Sequence, residues 1–169
     1  DSLNIDLVLN MSRSNLNISP SKDQEITAQS YNLGAALRDL VPSDTWSVDA
    51  FGFIGHNAYD GKRKVMNNDT ATGSETVTAS YSGLAVLVGV NAQYSQAIDD
   101  TLNFIGGLNA SLSNERIGAY SESKYFAWDA RTMTLASGGF TVGLEYHTAT
   151  LTTFASIGAQ RSSLRSGKT

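Results

Sequence analysis

Residues 83–94 read Gly-Leu-Ala-Val-Leu-Val-Gly-Val-Asn-Ala-Gln-Tyr, with an apolar or aromatic side chain at every even-numbered position from Leu84 to Tyr94. Successive side chains of a β-strand point to opposite faces of its sheet, so a period of two indicates a strand. The opposite face carries Asn91 and Gln93 and is more polar. This stretch predicts a strand with one apolar face and one mixed face.

The same alternation recurs along the chain, most clearly in three further apolar sets: Leu3, Ile5, Leu7, Leu9 and Met11; Leu102, Phe104, Leu108, Ala110 and Leu112; Phe140, Val142, Leu144 and Tyr146. The stretch 46–54 is ambiguous, because Phe51 and Phe53 lie on the face opposite Val48 and Ala50. We predict seven strands, at about residues 2–13, 26–38, 45–57, 76–95, 101–114, 131–147 and 151–161. The tail 162–169 has almost no apolar alternation, and we do not expect a strand there.

The predicted strands are long, and their connections alternate in length. About 9–11 residues cross a bilayer as a tilted strand, whereas strands of soluble proteins typically have about 5–6. Long polar connections at 14–25, 58–75 and 115–130 alternate with short ones at 39–44, 96–100 and 148–150. An up-and-down barrel places alternate connections at opposite ends, and outer-membrane barrels have short periplasmic turns and long extracellular loops. The prediction is therefore an all-β, antiparallel, up-and-down transmembrane β-barrel, with residues 1–169 as a single domain or part of one.

Composition supports this class and excludes others. Charged residues make up 17% of the chain, against roughly 25% in soluble proteins. No run of about 18 apolar residues is present, which excludes a membrane-spanning helix. The net charge of −4 argues against nucleic acid as a partner. The absence of cysteine excludes disulfides and thiolate metal sites.

A barrel wall of this kind should direct its apolar face to lipid and its polar face to the lumen. The residues expected to face outward are Leu3, Ile5, Leu7, Leu84, Val86, Val88 and Phe104, and those expected to face inward are Asn4, Asn91, Asn103 and Asn109. Rings near strand ends are typical of the membrane interface. Four are expected at headgroup level: Trp46, Tyr59, Tyr94 and Tyr146.

Few residues have the character of a reactive site. His147 and Glu145 share the predicted lumen face, and a histidine can activate a serine nucleophile; a solvated lumen position is the favoured interpretation. His56 is expected at a strand end beside a long loop. Asp99 and Asp100 are interpreted as turn residues rather than cation ligands. No catalytic, cofactor-binding or metal-binding residue is predicted, and no cofactor.

Several segments resemble the translocator domains of autotransporters. Residues 46–50, followed by Tyr59 and Arg63, resemble a mid-barrel strand of that family, and the segments 83–93 and 102–108 resemble the next two. The segments 121–123 and 143–146 are similar to the loop and strand that follow, so the resemblance covers about residues 46–161. The family's barrel has twelve strands and ends in an aromatic residue, whereas this chain shows about seven and ends in Thr169. We therefore expect a fragment, with strands missing at both ends.

The resemblance implies an outer-membrane anchor that helps move a passenger domain of the same polypeptide to the cell surface of a Gram-negative bacterium. It implies outer-membrane lipid and the barrel assembly machinery as partners, and no enzymatic activity. Two alternatives remain open. One is a small eight-stranded outer-membrane barrel, acting as an adhesin or a lipid-modifying enzyme. The other is a soluble lipocalin-like barrel, in which the apolar face would point inward.

Overall fold

The computed structural model describes residues 4–17, 24–41, 43–124 and 126–168. Seven long strands form one antiparallel sheet in the order β1-β2-β3-β4-β5-β8-β9, and two short strands, β6 and β7, form a separate hairpin. The strands are β1 (Asn4–Asn17), β2 (Gln24–Arg38), β3 (Trp46–Met66), β4 (Ser74–Ala97), β5 (Leu102–Ile117), β6 (Tyr120–Ser121), β7 (Ala127–Trp128), β8 (Arg131–His147) and β9 (Thr152–Lys168). The all-β, up-and-down antiparallel prediction is confirmed. The predicted orientation of Leu3 falls outside the described residues.

Three strands extend farther than their apolar pattern. β3 continues to Met66 and β4 begins at Ser74, so the predicted loop 58–75 shortens to residues 67–73. The expectation for the tail was wrong: residues 162–168 continue β9 by pairing with residues 131–137 of β8. Backbone hydrogen bonds alone hold a ladder together, so these extensions need no apolar alternation.

The strand register places the apolar sets on one face. Directly opposed residues share a face of the sheet. Leu7 is in register with Ala35, Gly52, Val88 and Leu112 across five neighbouring strands. This face, here called the outward face, carries Ile5, Leu7, Leu9, Leu33, Ile54, Leu84, Val86, Val88, Val90, Phe104, Leu108, Leu112, Phe140, Val142, Leu144 and Ile157.

The outward set is not packed into a protein core. Leu7 is 82% exposed and Val88 is 50% exposed. Among the described residues, the buried apolar side chains are only Ala36, Val77 and Ile117. A soluble barrel with an apolar interior would bury these aliphatic side chains, so the lipocalin-like alternative does not fit.

The outward apolar band crosses the sheet at an angle. On the side of the long connections its last members are Met11 on β1, Leu84 on β4 and Ala159 on β9. Met11 on β1 is in register with Leu84 on β4. Ala159 on β9 is in register with Ala92, which lies eight residues farther along β4. Six strand pairings separate β1 from β9. At about 3.3 Å per residue and about 4.8 Å between strands, this shift, which accumulates between β4 and β9, averages to a strand tilt of about 40° over the six ladders.

The tilt fixes the height of the band. From Leu84 to Tyr94, β4 runs about 33 Å along the strand, or about 25 Å along the axis normal to the band. Outer-membrane barrels have strands tilted by roughly 35–45° and an apolar band about 25 Å tall. The sheet therefore has the dimensions of a transmembrane barrel wall.

The wall is open in this structure. Each long strand pairs with its neighbours in sequence order, and no ladder between β1 and β9 is found among the described residues. The described residues also include no helix with the length and hydropathy of a membrane span.

Candidate functional site

The inward face of the sheet is largely polar at the level of the apolar band. One register row carries Asp49, Asn91, Asn109 and Gln160. In the adjacent row, Ser137 and Ser162 form a hydrogen bond of 2.9 Å between their hydroxyl oxygens. Polar groups on this face suit a hydrated lumen.

Two phenylalanines resolve the ambiguity of β3. Phe51 lies opposite Gly89, and a Cβ atom on that glycine would stand 2.4 Å from Phe51 Cζ. Phe53 lies opposite Gly34, where a Cβ atom would stand 2.3 Å from Phe53 Cδ1. Both rings thus face inward and lie over glycines, which leave room for them. Aromatic coverage of a strand glycine helps to fix sheet register.

The loop 118–130 folds back against the inward face at the long-connection end. It carries the β6–β7 hairpin, whose Tyr120 stacks on Tyr81 of β4 with 4.2 Å between ring centroids. Tyr81 stacks in turn on Tyr59 of β3 at 4.9 Å, and Tyr120 faces Trp128 at 6.3 Å. Offset aromatic stacks add stability beyond the area that they bury. A row of four rings therefore joins the loop to the wall.

An ion pair secures the same loop. Arg63 of β3 donates from Nε and Nη2 to the two carboxylate oxygens of Glu122, at 3.1 and 2.9 Å. The Glu122 side chain is only 8% exposed, and it also accepts a bond from Trp128 Nε1 at 3.2 Å. The Arg63 guanidinium lies 5.0 Å from the ring centroid of Phe126. Bidentate, largely buried pairs of this kind are the strong ones.

Glu115 ties the inward faces of β3 and β5 together. It accepts hydrogen bonds from Asn57 Nδ2 and from the Tyr59 hydroxyl, both at 2.7 Å. To reach β3 its side chain crosses β4 at Gly83, where a Cβ atom would lie 2.6 Å from Glu115 Oε1. Gly83 leaves free the space that this side chain occupies.

The short-turn end has its own polar contacts. Arg38 bridges Asp6 at 2.9 Å and Asp49 at 2.7 Å, which links β1, β2 and β3. In the turn after β4, Asp99 Oδ1 accepts bonds from the Thr101 amide, the Thr101 hydroxyl and the Leu102 amide. These bonds, led by the one from the Thr101 amide, lower the pKa of Asp99 below its usual value. The turn function predicted for Asp99 is confirmed.

The two histidines occupy different faces. His147 and Glu145 lie on the inward face of β8, and Glu145 accepts a bond from Asn103 Nδ2 at 3.2 Å. His56 lies within β3, on the outward face and in register with Leu84, rather than at the predicted strand end. The prediction was wrong because polar residues continue β3 beyond the apolar band to Met66, so the strand does not end near His56. In the part of the chain that the structure describes, no cluster of three or more His, Asp or Glu residues could hold a metal ion.

Three of the four predicted interfacial rings occupy suitable positions. Trp46, Tyr94 and Tyr146 lie on the outward face near the short turns, with 4.9 Å between the ring centroids of Trp46 and Tyr94. Tyr59 does not belong to this girdle, because it points inward to Glu115. The cross-sheet register decides its face, and register is not visible in an isolated strand.

Tilted strands, an exposed outward band and a polar inward face define the class as an outer-membrane β-barrel. The family model of the autotransporter β-domain matches residues 3–169, so this chain belongs to that family. Its members serve as outer-membrane translocator and anchor domains, which locates this domain in the bacterial outer membrane. Such domains are generally not catalytic.

No curated protein sequence matches the chain. Among solved structures, one described as the structure of the RagAB peptide transporter is similar at 15% sequence identity, with a TM-score of 0.45. That match covers 84% of this chain and 18% of the other.

Proposed function

We propose that residues 1–169 act as a single unit, one section of the wall of a larger barrel that anchors in outer-membrane lipid and lines the route of a passenger. The observation that carries this proposal is the division of the sheet into an exposed apolar outward face and a polar inward face, at a strand tilt of about 40°. An apolar face toward lipid provides the anchor. A hydrated inward face provides a route for an unfolded polypeptide.

The edges of the sheet favour additional strands. Unpaired backbone groups are not tolerated in the hydrocarbon core of a bilayer, and bacterial single-chain barrels have an even number of strands, eight or more. The outer edges of β1 and β9 thus each need a neighbour. Further strands of the same polypeptide are the first candidate, and other copies of the chain are the second.

The remaining partners follow from this architecture. A barrel wall with unpaired strand edges needs the barrel assembly machinery for its insertion into the membrane. The passenger is the partner that is transported. No bond chemistry is assigned to any residue of the domain. We assign His147 and Glu145 to the hydrated lumen, which their position on the inward face and the bond from Asn103 to Glu145 support.

Site-specific photo-crosslinking in the full-length protein tests the route. A photoreactive residue at Asn109, on the inward face, should crosslink to the passenger while secretion is in progress. The matched control is the neighbouring Leu108, which faces outward and is 56% exposed. Crosslinks to the passenger from position 108 as readily as from 109 would contradict passage along the inward face.

A further inference from the structure

Lysine and arginine side chains on the outward face are confined to one end of the sheet. Within the described strands they are Arg13, Lys62, Lys64, Arg116, Arg161 and Arg165. Every one lies beyond the apolar band on the side of the long connections. Among the described strand residues, none faces outward within the band or at the short-turn end.

On one side of the sheet this charge is unopposed. Glu25 and Asp60 face outward on β2 and β3, where Glu25 pairs with Lys62 at 2.7 Å and Asp60 accepts a bond from Ser80 at 2.7 Å. The described outward positions of β5, β8 and β9 carry no carboxylate. Arg116, Arg161 and Arg165, here called the basic patch, are all exposed there.

The patch begins where the apolar band ends. Arg161 is the next outward residue after Ala159 on β9, and Arg116 lies four residues beyond Leu112 on β5. From strand spacing, Arg165 lies about 12–13 Å from each of the other two arginines. Thr134 lies on β8, the strand between β5 and β9, and is in register with Arg165. Its hydroxyl accepts a hydrogen bond from Asn114 Nδ2 at 2.8 Å.

Position and chemistry together define the occupant. Long cationic side chains at the edge of an apolar band extend toward the headgroup layer. Guanidinium forks bind phosphate oxygens with two parallel hydrogen bonds, which an ammonium group does not match. We propose that the basic patch binds the phosphate groups of anionic lipids in the outer leaflet. This inference rests on the proposed anchoring of the sheet in lipid.

The test compares two lipids with the full-length protein. Urea titrations of folding are performed in phosphatidylcholine vesicles and in the same vesicles containing phosphatidylglycerol. Each arginine near an anionic surface should favour the folded state by about fivefold, and the three together by about a hundredfold. The triple variant Arg116→Gln, Arg161→Gln, Arg165→Gln should lose that gain in anionic vesicles.

Two variants make the result specific. The triple substitution to lysine retains the charge but not the bidentate fork, so it should retain the gain only in part. Arg38→Gln removes a cation that faces inward and pairs with Asp6 and Asp49, so its cost should be the same in both lipids. An equal anionic gain in the wild type and the glutamine variant would overturn the phosphate proposal alone. Failure of the wild type to insert into either vesicle would overturn the membrane anchoring as well.

Discussion

Val88 lies near the middle of the apolar band, between Leu84 and Tyr94, and faces outward in register with Gly52 and Leu112. Its side chain is 50% exposed, so an arginine there meets lipid rather than a protein cavity. A cationic side chain at the bilayer midplane of a barrel costs about 2–4 kcal/mol. Val88→Arg should therefore reduce the folding equilibrium constant of the domain by roughly 30-fold to 900-fold.

The assay is a urea titration of the full-length protein in neutral lipid vesicles, with protease protection of the barrel as the readout. Asn109→Arg is the matched control, because the same side chain then points into a hydrated lumen. Its cost should be well below that of Val88→Arg. Equal costs at the two positions would refute the assignment of faces, and a larger cost at Asn109 would reverse it.

Three further outcomes follow from particular contacts. Glu122→Gln removes the charge partner of Arg63. The free energy of local opening of the loop 118–130, measured by amide hydrogen exchange, should fall by about 1–3 kcal/mol, while the strands stay protected. Gly89→Ala forces a Cβ atom against Phe51, so urea titration should show a loss of about 1–3 kcal/mol, partly recovered when Phe51→Ala is added. A carboxylate whose pKa is lowered in the folded state stabilises the fold at pH values above its unfolded pKa, and this stabilisation is lost as the pH falls through the folded pKa. Amide hydrogen exchange at the Asp99 turn should therefore accelerate on acidification. Asp99→Asn should flatten that pH response.

The sequence contained enough to predict the wall of the barrel but not the contents of its lumen. Alternation over β4 and β5 defines faces because the period of side-chain direction in a strand is fixed at two. Phe51 was ambiguous because its direction depends on the cross-strand glycine at position 89, and pairing partners are not local. The same limit explains Tyr59, whose ring was expected at the interface and instead bonds Glu115.

The loop contacts were less accessible still. Arg63 and Glu122 are 59 residues apart in the chain, and nothing in either local pattern indicates that the loop 118–130 turns inward. Their only signal was the presence of both residues in segments that resemble autotransporter translocators. Strand length beyond the band was also missed, since polar residues such as those at 58–66 look like a loop when only hydropathy is considered.

The most direct test of the account is a labelling scan along β4. Residues 1–169 contain no cysteine, so single cysteines placed at each position from 84 to 91 report one site of this domain at a time. Fluorophores attached there should be quenched by brominated lipid at the even positions and by a water-soluble quencher at the odd positions. A reversed alternation, or the same quenching at every position, would contradict an outward apolar face in contact with lipid.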